Sequence, residues 1–339
     1  MVAAMKKVAL PLGVGLVFFM LAVFYAVFDL MRYAYNGAAS TVDEPRTVIV
    51  PSGQRFVDTT EQLLEAGVIQ KPNRFRAFAR LYGYDKRVKA GEYLLSTAMS
   101  PAKVIETLIL GKVVLHRLTV PEGYTYRQIG DLLEKTGLVT ASEFITRARD
   151  AELVRQFGVP GETLEGYLYP DTYFFPRGVT AREIITAMIH RFETVMTSQW
   201  KERAAQLQLS VHQVMTLASI IEKETGAPEE RAIISSVFFN RLHRGMRLES
   251  DPTVIYGITD FDGNITRNHL KEKTPYNTYQ IEGLPPGPIA NPGKEAIHAA
   301  LFPQQTDFLF FVSKQNGTHH FSKDMKEHLR AVSQYQLRK

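Results

Sequence analysis

One uncharged, apolar stretch near the start of the chain constrains its fold more than any other feature. Residues 8–28 contain no charged side chain, and Lys6 and Lys7 come directly before them. A helix of about 20 apolar residues spans the hydrocarbon core of a bilayer, and flanking positive charges favour the cytoplasmic side. We therefore predict a cytoplasmic tip at residues 1–7, one membrane-spanning helix at residues 8–28, and all later residues on the opposite side of the membrane.

A cleaved signal peptide is the alternative interpretation of this stretch. Gly37, Ala38 and Ala39 are small residues of the kind found at cleavage sites. The apolar core of a signal peptide usually has only about 7 to 15 residues, however. The greater length of residues 8–28 favours an uncleaved anchor.

The composition of the 339-residue chain excludes several kinds of site. It contains no cysteine, which excludes disulfides, thiolate zinc sites and cysteine nucleophiles. Its nine histidines are scattered without the His-Glu-x-x-His spacing, so we predict no metal and no cofactor. The net charge of +5 is modest, and no run of basic residues is interleaved with aromatic ones. An anionic polymer therefore fits as a partner, whereas nucleic acid does not.

Two segments of similar pattern follow the anchor. Residues 48–53 lead into Leu63 and Leu64, and residues 118–123 lead into Leu132 and Leu133. Each pattern predicts a strand, a tight turn and a helix. Around the first segment we predict a linker at residues 29–46 and a small α+β module at residues 47–115. The further elements predicted for this module are helices at residues 74–82 and 101–110 and a strand at residues 89–95.

Helical patterns dominate the predicted second domain, residues 116–339, as far as about Gly245. A tract rich in loops follows, and residues 308–312 and 317–321 then predict a hairpin. The predicted fold class is therefore α+β: a single N-terminal transmembrane helix, the small module, and a mixed, helix-rich α+β domain. Loops of more than about 12 to 15 residues are generally functional or disordered, and the aromatic residues of this tract argue against disorder.

The clearest candidate site is an apolar helix with two acids at its C-terminal end. A capping box at Ser210 and a stop signal at Gly226 predict a helix from about Val211 to Thr225. Its buried stripe is flanked by Glu222 and Glu224, and it is formed by Val214, Leu217, Ala218 and Ile221.

The position of these acids suggests a chemical role. A carboxylate at the negative pole of a helix ionises less readily, so its pKa rises and it can serve as a proton donor. The alternative is that one or both acids are surface residues paired with Arg231 or Lys223.

Further polar residues are predicted to converge on the same cleft. Asn240 and Arg241 lie near the end of the next helix, and Asp251 follows shortly afterwards. A structural ion pair between Arg241 and Asp251 is the alternative. In the loop-rich tract, Tyr276, Asn277 and Tyr279 offer ring faces and an amide suited to N-acetylated sugars, although the tyrosines could equally fill the core.

Together these motifs resemble the YceG-like family of MltG-type endolytic murein transglycosylases. The resemblance covers nearly the whole chain, with five motifs in order and one approach segment upstream. The motifs are residues 218–225 (ASIIEKET), 236–242 (SVFFNRL), 251–256 (DPTVIY), 276–279 (YNTY) and 283–287 (GLPPG), and the approach segment is residues 165–173 (EGYLYPDTY).

The resemblance implies a single-pass enzyme of the inner membrane with its catalytic domain in the periplasm. Such an enzyme is a lyase that cuts glycan strands of peptidoglycan between N-acetylmuramic acid and N-acetylglucosamine and leaves 1,6-anhydro ends. The residues of the first module would be LysM-like. The implied partners are peptidoglycan glycan strands and the inner membrane, with peptidoglycan synthases as a further candidate.

The resemblance also implies roles for individual residues. The catalytic acid would be Glu224, the second acid of the Glu-Lys-Glu triplet, with Glu222 as a secondary carboxylate candidate. The implied substrate-binding residues are Asn240, Arg241, Asp251, Tyr276, Asn277, Tyr279, Tyr169 and Asp171. Glu249 departs from the family pattern, in which glutamine is common at this position, and receives no role.

Two other functions remain open at this stage. A muramidase would hydrolyse the same bond with Glu222, Glu249 or Asp251 as its second carboxylate, because ordinary glycosidases use two. A catalytically silent peptidoglycan-binding scaffold would hold glycan with the first module and use the paired acids only structurally.

Overall fold

The computed structural model describes residues 2–224, 226–259 and 261–337. The chain forms two compact units, each with its own hydrophobic core. Unit 1 comprises Met1–His116 and Pro176–Gly178, and unit 2 comprises Arg117–Phe175 and Val179–Lys339. The elements of unit 1 are α1 (Val2–Asn36), β1 (Pro45–Val50), α2 (Phe56–Glu65), α3 (Pro72–Leu81), a 3₁₀ turn (Tyr84–Lys86), β2 (Gly91–Ser96) and α4 (Pro101–Leu110).

The first helix, α1, contains a candidate membrane anchor. Val14–Asn36 has a mean hydropathy of 2.3 and is long and apolar enough to cross a membrane, a test that an N-terminal signal sequence also passes. The side chains of residues 8–13, which belong to the predicted span, lie outside the described part of the chain.

The linker predicted at residues 29–46 is shorter in the structure, because α1 continues to Asn36 and β1 begins at Pro45. Tyr33 and Ala34 are buried in the core of unit 1. Arg74 also pairs with Asp29 at 2.9 Å. The end of α1 is therefore part of the folded module, a tertiary contact that linker composition does not reveal.

The folded part of unit 1 places two helices between two paired strands. β1 and β2 are antiparallel, with Val48 opposite Tyr93, and α2 and α3 lie between them in sequence. The predicted strand, turn and helix are confirmed, and the turn contains Gly53 with a φ of +75°. Glycine adopts this left-handed conformation without steric cost, which permits the tight turn.

Unit 2 is mixed α+β and rich in helices, as predicted. Its strands form two pairs, Leu115–Thr119 with Thr172–Pro176 and an antiparallel hairpin of Phe310–Ser313 with His319–Ser322. The elements are β3 (Leu115–Thr119), α5 (Tyr126–Thr136), α6 (Ala141–Ala148), α7 (Ala151–Gln156), β4 (Thr172–Pro176), α8 (Ala181–Val195), α9 (Ser198–Gln206), α10 (Val211–Glu224), a 3₁₀ turn (Pro228–Glu230), α11 (Arg231–His243), α12 (Asp251–Gly257), α13 (Arg267–Lys271), α14 (Lys294–Leu301), β5 (Phe310–Ser313), β6 (His319–Ser322), α15 (Met325–Val332) and a π-helical turn (Ser333–Leu337).

The tract that the sequence predicts as loops contains α14, one of the best-buried helices of unit 2. Ala296, Ile297, Ala299, Ala300 and Leu301 are all buried. Three of them are alanines, whose small side chains allow close approach to a neighbouring helix. α14 packs against α10 and α11. The sequence pattern did not predict α14 because the helix has only eight residues. Its apolar periodicity extends over little more than two turns, which is too short to recognise.

The loop after α7 packs closely against its surroundings at Gly166. Its φ is +85°, and a Cβ atom there would lie 2.3 Å from Cγ of Pro288. Gly158 also has a positive φ, of +64°, but nothing lies within 4 Å of its Cβ position. We expect Gly158→Ala to cost about 1 to 2 kcal/mol for the left-handed backbone alone. Gly166→Ala should cost a further ~1 to 3 kcal/mol, because Pro288 must move.

Urea unfolding of both variants, followed by fluorescence, measures this difference. Trp200 in α9 is the only tryptophan of the chain, so its emission reports on unit 2. Equal losses of stability in the two variants would show that the contact between Gly166 and Pro288 is not tight.

Candidate active site

Glu224 is the last residue of α10, which runs through the core of unit 2. The residues from Val214 to Ile221 are all buried, so the predicted buried stripe is confirmed. The predicted helix end at Thr225 lies outside the described residues. Because two full turns of α10 are buried on all sides, the helix has little freedom to move. The position of its last residue, Glu224, is therefore fixed.

The Glu224 side chain lines a cavity of about 360 Å³. The residue is half-buried, and its Oε1 atom accepts a hydrogen bond from the hydroxyl group of Ser250. The other residues that line this Glu224 cavity are Arg241, Leu248, Glu249, Asp251, Tyr279, Phe311, Val312, Ser313, His319, His328, Val332 and Gln336.

Burial raises the pKa of Glu224 to about 7. The hydrogen bond from Ser250 and the charge of Arg241 oppose this rise, whereas the nearby negative charge of Asp251 adds to it. The sequence predicts the direction of this shift from the helix dipole, but removal of the carboxyl group from water is the largest cause. Near neutral pH, a large fraction of Glu224 is protonated and able to donate a proton.

A strained turn brings Ser250 to Glu224. Glu249 has a φ of +52°, a left-handed conformation that is uncommon for residues other than glycine. Thr278 holds this turn on both sides, because its carbonyl accepts from the Glu249 amide at 3.2 Å and its hydroxyl accepts from the Ser250 amide at 2.9 Å. Backbone strain of this kind persists only where surrounding contacts fix it, and it concentrates at functional sites.

The guanidinium group of Arg241 holds the cavity wall in place through several hydrogen bonds. Its Nε atom donates to the Leu309 carbonyl at 2.7 Å, and Nη1 donates to the carbonyls of Arg247 and Leu248. Nη1 also lies 2.9 Å from Oε2 of Glu249, which makes an ion pair. The suggested pair between Arg241 and Asp251 is therefore not the one that forms.

Asp251 and Tyr279 lie together on another part of the cavity. The Tyr279 hydroxyl donates to Oδ1 of Asp251 at 2.8 Å. His328 also lines the cavity, and burial lowers the pKa of its imidazole, which keeps it neutral near neutral pH. The Glu224 cavity thus contains one arginine, the carboxylates of Glu249 and Asp251, and several groups able to make hydrogen bonds.

Glu222, the secondary candidate, faces a different environment. Its Oε2 atom accepts from the Gly293 amide at 2.9 Å, and Arg231 lies 3.3 Å from its Oε1 atom. Gly293 is the N-cap residue of α14, so Glu222 stabilises the start of that helix. The alternative pairing of Glu222 with Arg231 therefore forms, although both side chains are largely buried rather than at the surface, and Glu222 does not line the Glu224 cavity.

Two of the predicted substrate-binding amides make hydrogen bonds within the fold. Nδ2 of Asn240 donates to the carbonyls of Thr306 and Phe308. Asn277 is 1% exposed, and its Nδ2 atom lies within hydrogen-bond distance of three carbonyls, the shortest at 2.6 Å to Glu272. These contacts hold loops in place, and neither residue lines the Glu224 cavity.

The structure also separates three other predicted residues from Glu224. Tyr169 is buried beneath the guanidinium of Arg191, and the same Arg191 pairs with Asp171 at 2.6 Å. The Tyr276 ring lies tilted against the Tyr256 ring, with ring centroids 4.8 Å apart, in a separate cavity. Of the eight predicted binding residues, Arg241, Asp251 and Tyr279 line the Glu224 cavity.

Sequence reasoning missed the roles of Ser250 and Glu165. Ser250 directly precedes the motif at residues 251–256, but its contact with Glu224 spans 26 residues and leaves no local pattern. Glu165 is 3% exposed and accepts hydrogen bonds from the Tyr126 amide and from Asn291. Burial raises the pKa of Glu165 to about 8. In the sequence, Glu165 stands out only as an acid that directly precedes Gly166 in a segment rich in aromatic residues.

Glu165 should make the stability of unit 2 depend on pH. In the unfolded chain the glutamate loses its proton near its ordinary pKa of 4.5, whereas the folded protein holds the proton up to about pH 8. Between these values the folded state binds more protons, so the free energy of unfolding falls as pH rises. Glu165→Gln should flatten this part of the profile and make unit 2 more stable than wild type at pH 8.

Urea unfolding at a series of pH values, followed by Trp200 fluorescence, measures the profile. Glu162→Gln is the matched control, because it removes an exposed acid of the same loop. We expect this control to retain the wild-type slope. A Glu165→Gln profile as steep as that of wild type would contradict the assigned protonation of Glu165.

Comparison with known proteins gives one consistent result. A model of the YceG-like family matches residues 48–334. The endolytic murein transglycosylase of Bacillus subtilis strain 168 is 33% identical over 302 residues, which cover 84% of this chain and 83% of that protein. The protein of the same name from Streptococcus pneumoniae D39 is 29% identical, with 85% of this chain and 58% of that protein covered.

A solved structure agrees with these sequence matches. The crystal structure of a YceG-like protein from Listeria monocytogenes superposes with a TM-score of 0.59 and is 34% identical in sequence. The superposition covers 85% of this chain and 99% of that one. The family model alone matches well over half of the chain, and the chain therefore belongs to the YceG-like family.

Proposed function

We propose that this protein is an endolytic lytic transglycosylase of peptidoglycan, a lyase that uses Glu224 as its catalytic acid and base. The observation that carries the proposal is the carboxyl group of Glu224, which lines a polar cavity, accepts a hydrogen bond from Ser250 and has a pKa raised by burial. Relatives named endolytic murein transglycosylases support the substrate class. The bond cleaved would be the one between N-acetylmuramic acid and N-acetylglucosamine within a glycan strand.

The proposed reaction proceeds in two proton transfers. Glu224 first donates its proton to the glycosidic oxygen, and the bond between that oxygen and the anomeric carbon breaks as the ring gains oxocarbenium character. The C6 hydroxyl of the same muramyl residue then attacks the anomeric carbon, and the Glu224 carboxylate takes the hydroxyl proton. The product is a 1,6-anhydro end, no water is consumed, and Glu224 is again protonated.

The environment of Glu224 suits both halves of this cycle. A pKa of about 7 allows the same group to give a proton and then to take one near neutral pH. Ser250 donates to the carboxylate form and orients it. Arg241, Asp251 and Tyr279 are the proposed binding residues for the sugars on either side of the bond, since they line the same cavity.

A muramidase that hydrolyses the same bond is the second candidate, and Asp251 is the observation that favours it. Asp251 is exposed in the Glu224 cavity and raises the pKa of Glu224 through its charge. A hydrolase needs such a second carboxylate to activate water or to attack the sugar. Glu222 is a weaker candidate for this role, because it caps α14 and pairs with Arg231.

We propose that α1 anchors the protein in the inner membrane, with its N-terminus in the cytoplasm and the catalytic unit in the periplasm. The apolar helix and the preceding Lys6 and Lys7 support this orientation. The folded part of unit 1 is the proposed LysM-like module and would bind glycan. Its two helices between paired strands support this assignment, and peptidoglycan synthases are proposed as protein partners.

The catalytic assignment predicts the effect of Glu224→Gln. An amide keeps the shape of the side chain but neither donates nor accepts a proton as an acid or base, so both proton transfers fail. We expect the cleavage rate on purified sacculi to fall by about a thousand- to ten-thousand-fold. Glu222→Gln is the matched control and should cost far less, since Glu222 lies outside the cavity.

Mass analysis of the products separates the candidate functions. A transglycosylase gives anhydro-ended fragments, each lighter by one water than the product of a muramidase. Reducing ends would assign the hydrolase instead. An active, folded Glu224→Gln protein would contradict the residue assignment, and an inactive wild-type protein that still binds sacculi would favour the scaffold.

The orientation predicts the behaviour of a reporter fused after Lys339. An enzyme that is active only outside the cytoplasm should work at this position, because α1 would carry the rest of the chain across the membrane. The paired control is a cytoplasmic reporter at the same position, which should be silent. The reverse result would show that the orientation is wrong.

A further inference from the structure

A second cavity in unit 2, of about 490 Å³, lies at the opposite end of α10 from Glu224. His212, near the start of α10, lines it, whereas Glu224 ends the helix. At about 1.5 Å of rise per residue, roughly 18 Å of helix separates the two residues. We call this space the Glu165 cavity, because the buried Glu165 side chain forms part of its wall.

The wall of the Glu165 cavity combines aromatic rings with a neutral acid. Tyr256 and Tyr276 lie at 4.8 Å between ring centroids, and Tyr126 and several prolines complete the apolar surface. Oε2 of Glu165 lies 3.2 Å from the Tyr256 hydroxyl, and its Oε1 atom accepts from two N–H groups. A pKa of about 8 keeps Glu165 protonated near neutral pH, so this wall does not repel an anion.

The rim of the cavity carries a surplus of positive charge. Arg127 and Arg149 are exposed there, and Glu162 is the acid on the same rim. Within the described part of the chain, neither arginine has a carboxylate at salt-bridge distance, and the Arg127 guanidinium rests against the Tyr126 ring. The Arg127 Nε atom donates to the Tyr126 hydroxyl at 3.2 Å. Guanidinium groups that lack a carboxylate partner beside an apolar cleft favour a ligand that carries carboxylates, which arginine binds through two parallel hydrogen bonds.

We propose that the Glu165 cavity is a second binding site, distinct from the Glu224 cavity, for the carboxylate-bearing stem peptide of peptidoglycan. This inference rests on the proposed function, because its ligand is part of the proposed substrate. In an intact strand the lactyl group of N-acetylmuramic acid is amide-linked to the stem peptide. The anionic groups therefore lie in the peptide, whereas the sugars are neutral, and the two arginines match the peptide.

The test measures ligand binding to the full-length protein in detergent, with Glu224→Gln present in every sample so that nothing is cleaved. The probes are N-acetylmuramyl-L-alanyl-D-glutamate, which carries two carboxylates, and the neutral tetramer of N-acetylglucosamine. A ligand-observed NMR titration gives the dissociation constant of each. The added variants are Arg127→Gln with Arg149→Gln, and the matched control Arg155→Gln, an exposed arginine of α7 that does not line the cavity.

We expect the paired change to raise the dissociation constant of the muramyl peptide by about tenfold or more, since hydrogen bonds to charged groups are lost. Binding of the neutral tetramer should stay the same, and Arg155→Gln should change neither ligand. Both substituted arginines are exposed, so the variants should fold, and Trp200 fluorescence verifies this for unit 2.

Three outcomes would overturn the inference. The first is an unchanged affinity for the muramyl peptide in the variant with both arginines replaced. The second is an equal loss of tetramer binding in that variant, which would make the cavity a sugar site. The third is no binding of the muramyl peptide to the protein that retains both arginines. Cleavage of sacculi by protein that retains Glu224 is measured separately. Cleavage without peptide binding defeats only this inference, whereas absence of cleavage defeats the proposed function.

Discussion

The burial of α10 is the physical constraint on which unit 2 depends. Two turns of this helix, from Val214 to Ile221, have no exposed face, and α14 packs against it with small side chains. Because the helix is packed on all sides, its last residue is fixed at the cavity, where its carboxyl group is partly removed from bulk water. The hydrophobic effect that stabilises unit 2 therefore also sets the protonation of Glu224.

Three glutamates of unit 2 illustrate how surroundings decide the role of one residue type. Glu224 is half-buried beside a hydroxyl and a second acid, and its raised pKa leaves it partly protonated near neutral pH. Glu165 is buried more deeply, and even its four hydrogen bonds do not return its pKa to the ordinary range. Glu222 instead meets the amide at the start of α14 and the guanidinium of Arg231, two partners that suit a carboxylate.

Local sequence patterns predicted the elements of the fold well but predicted the site only in part. Capping residues and apolar periodicity gave α10, and the strand, turn and helix of each similar segment were confirmed. The partner of each polar group was not predictable, because contacts such as Ser250 to Glu224 or Asn240 to Phe308 join residues far apart in sequence. The family resemblance suggested that Asn240 and Asn277 bind sugar, whereas both donate to backbone carbonyls and hold loops in place.

The continuity of α1 has a mechanical consequence for unit 1. The helix runs without a break from its apolar stretch to Tyr33 and Ala34 in the core of unit 1, and Asp29 pairs with Arg74 beside them. With the apolar stretch in a bilayer, as proposed, unit 1 would have no loose tether and would be held at one height above the lipid surface. A glycan strand bound there would be kept at that same height, so α1 would set the distance between the strand and the membrane as well as anchor the protein.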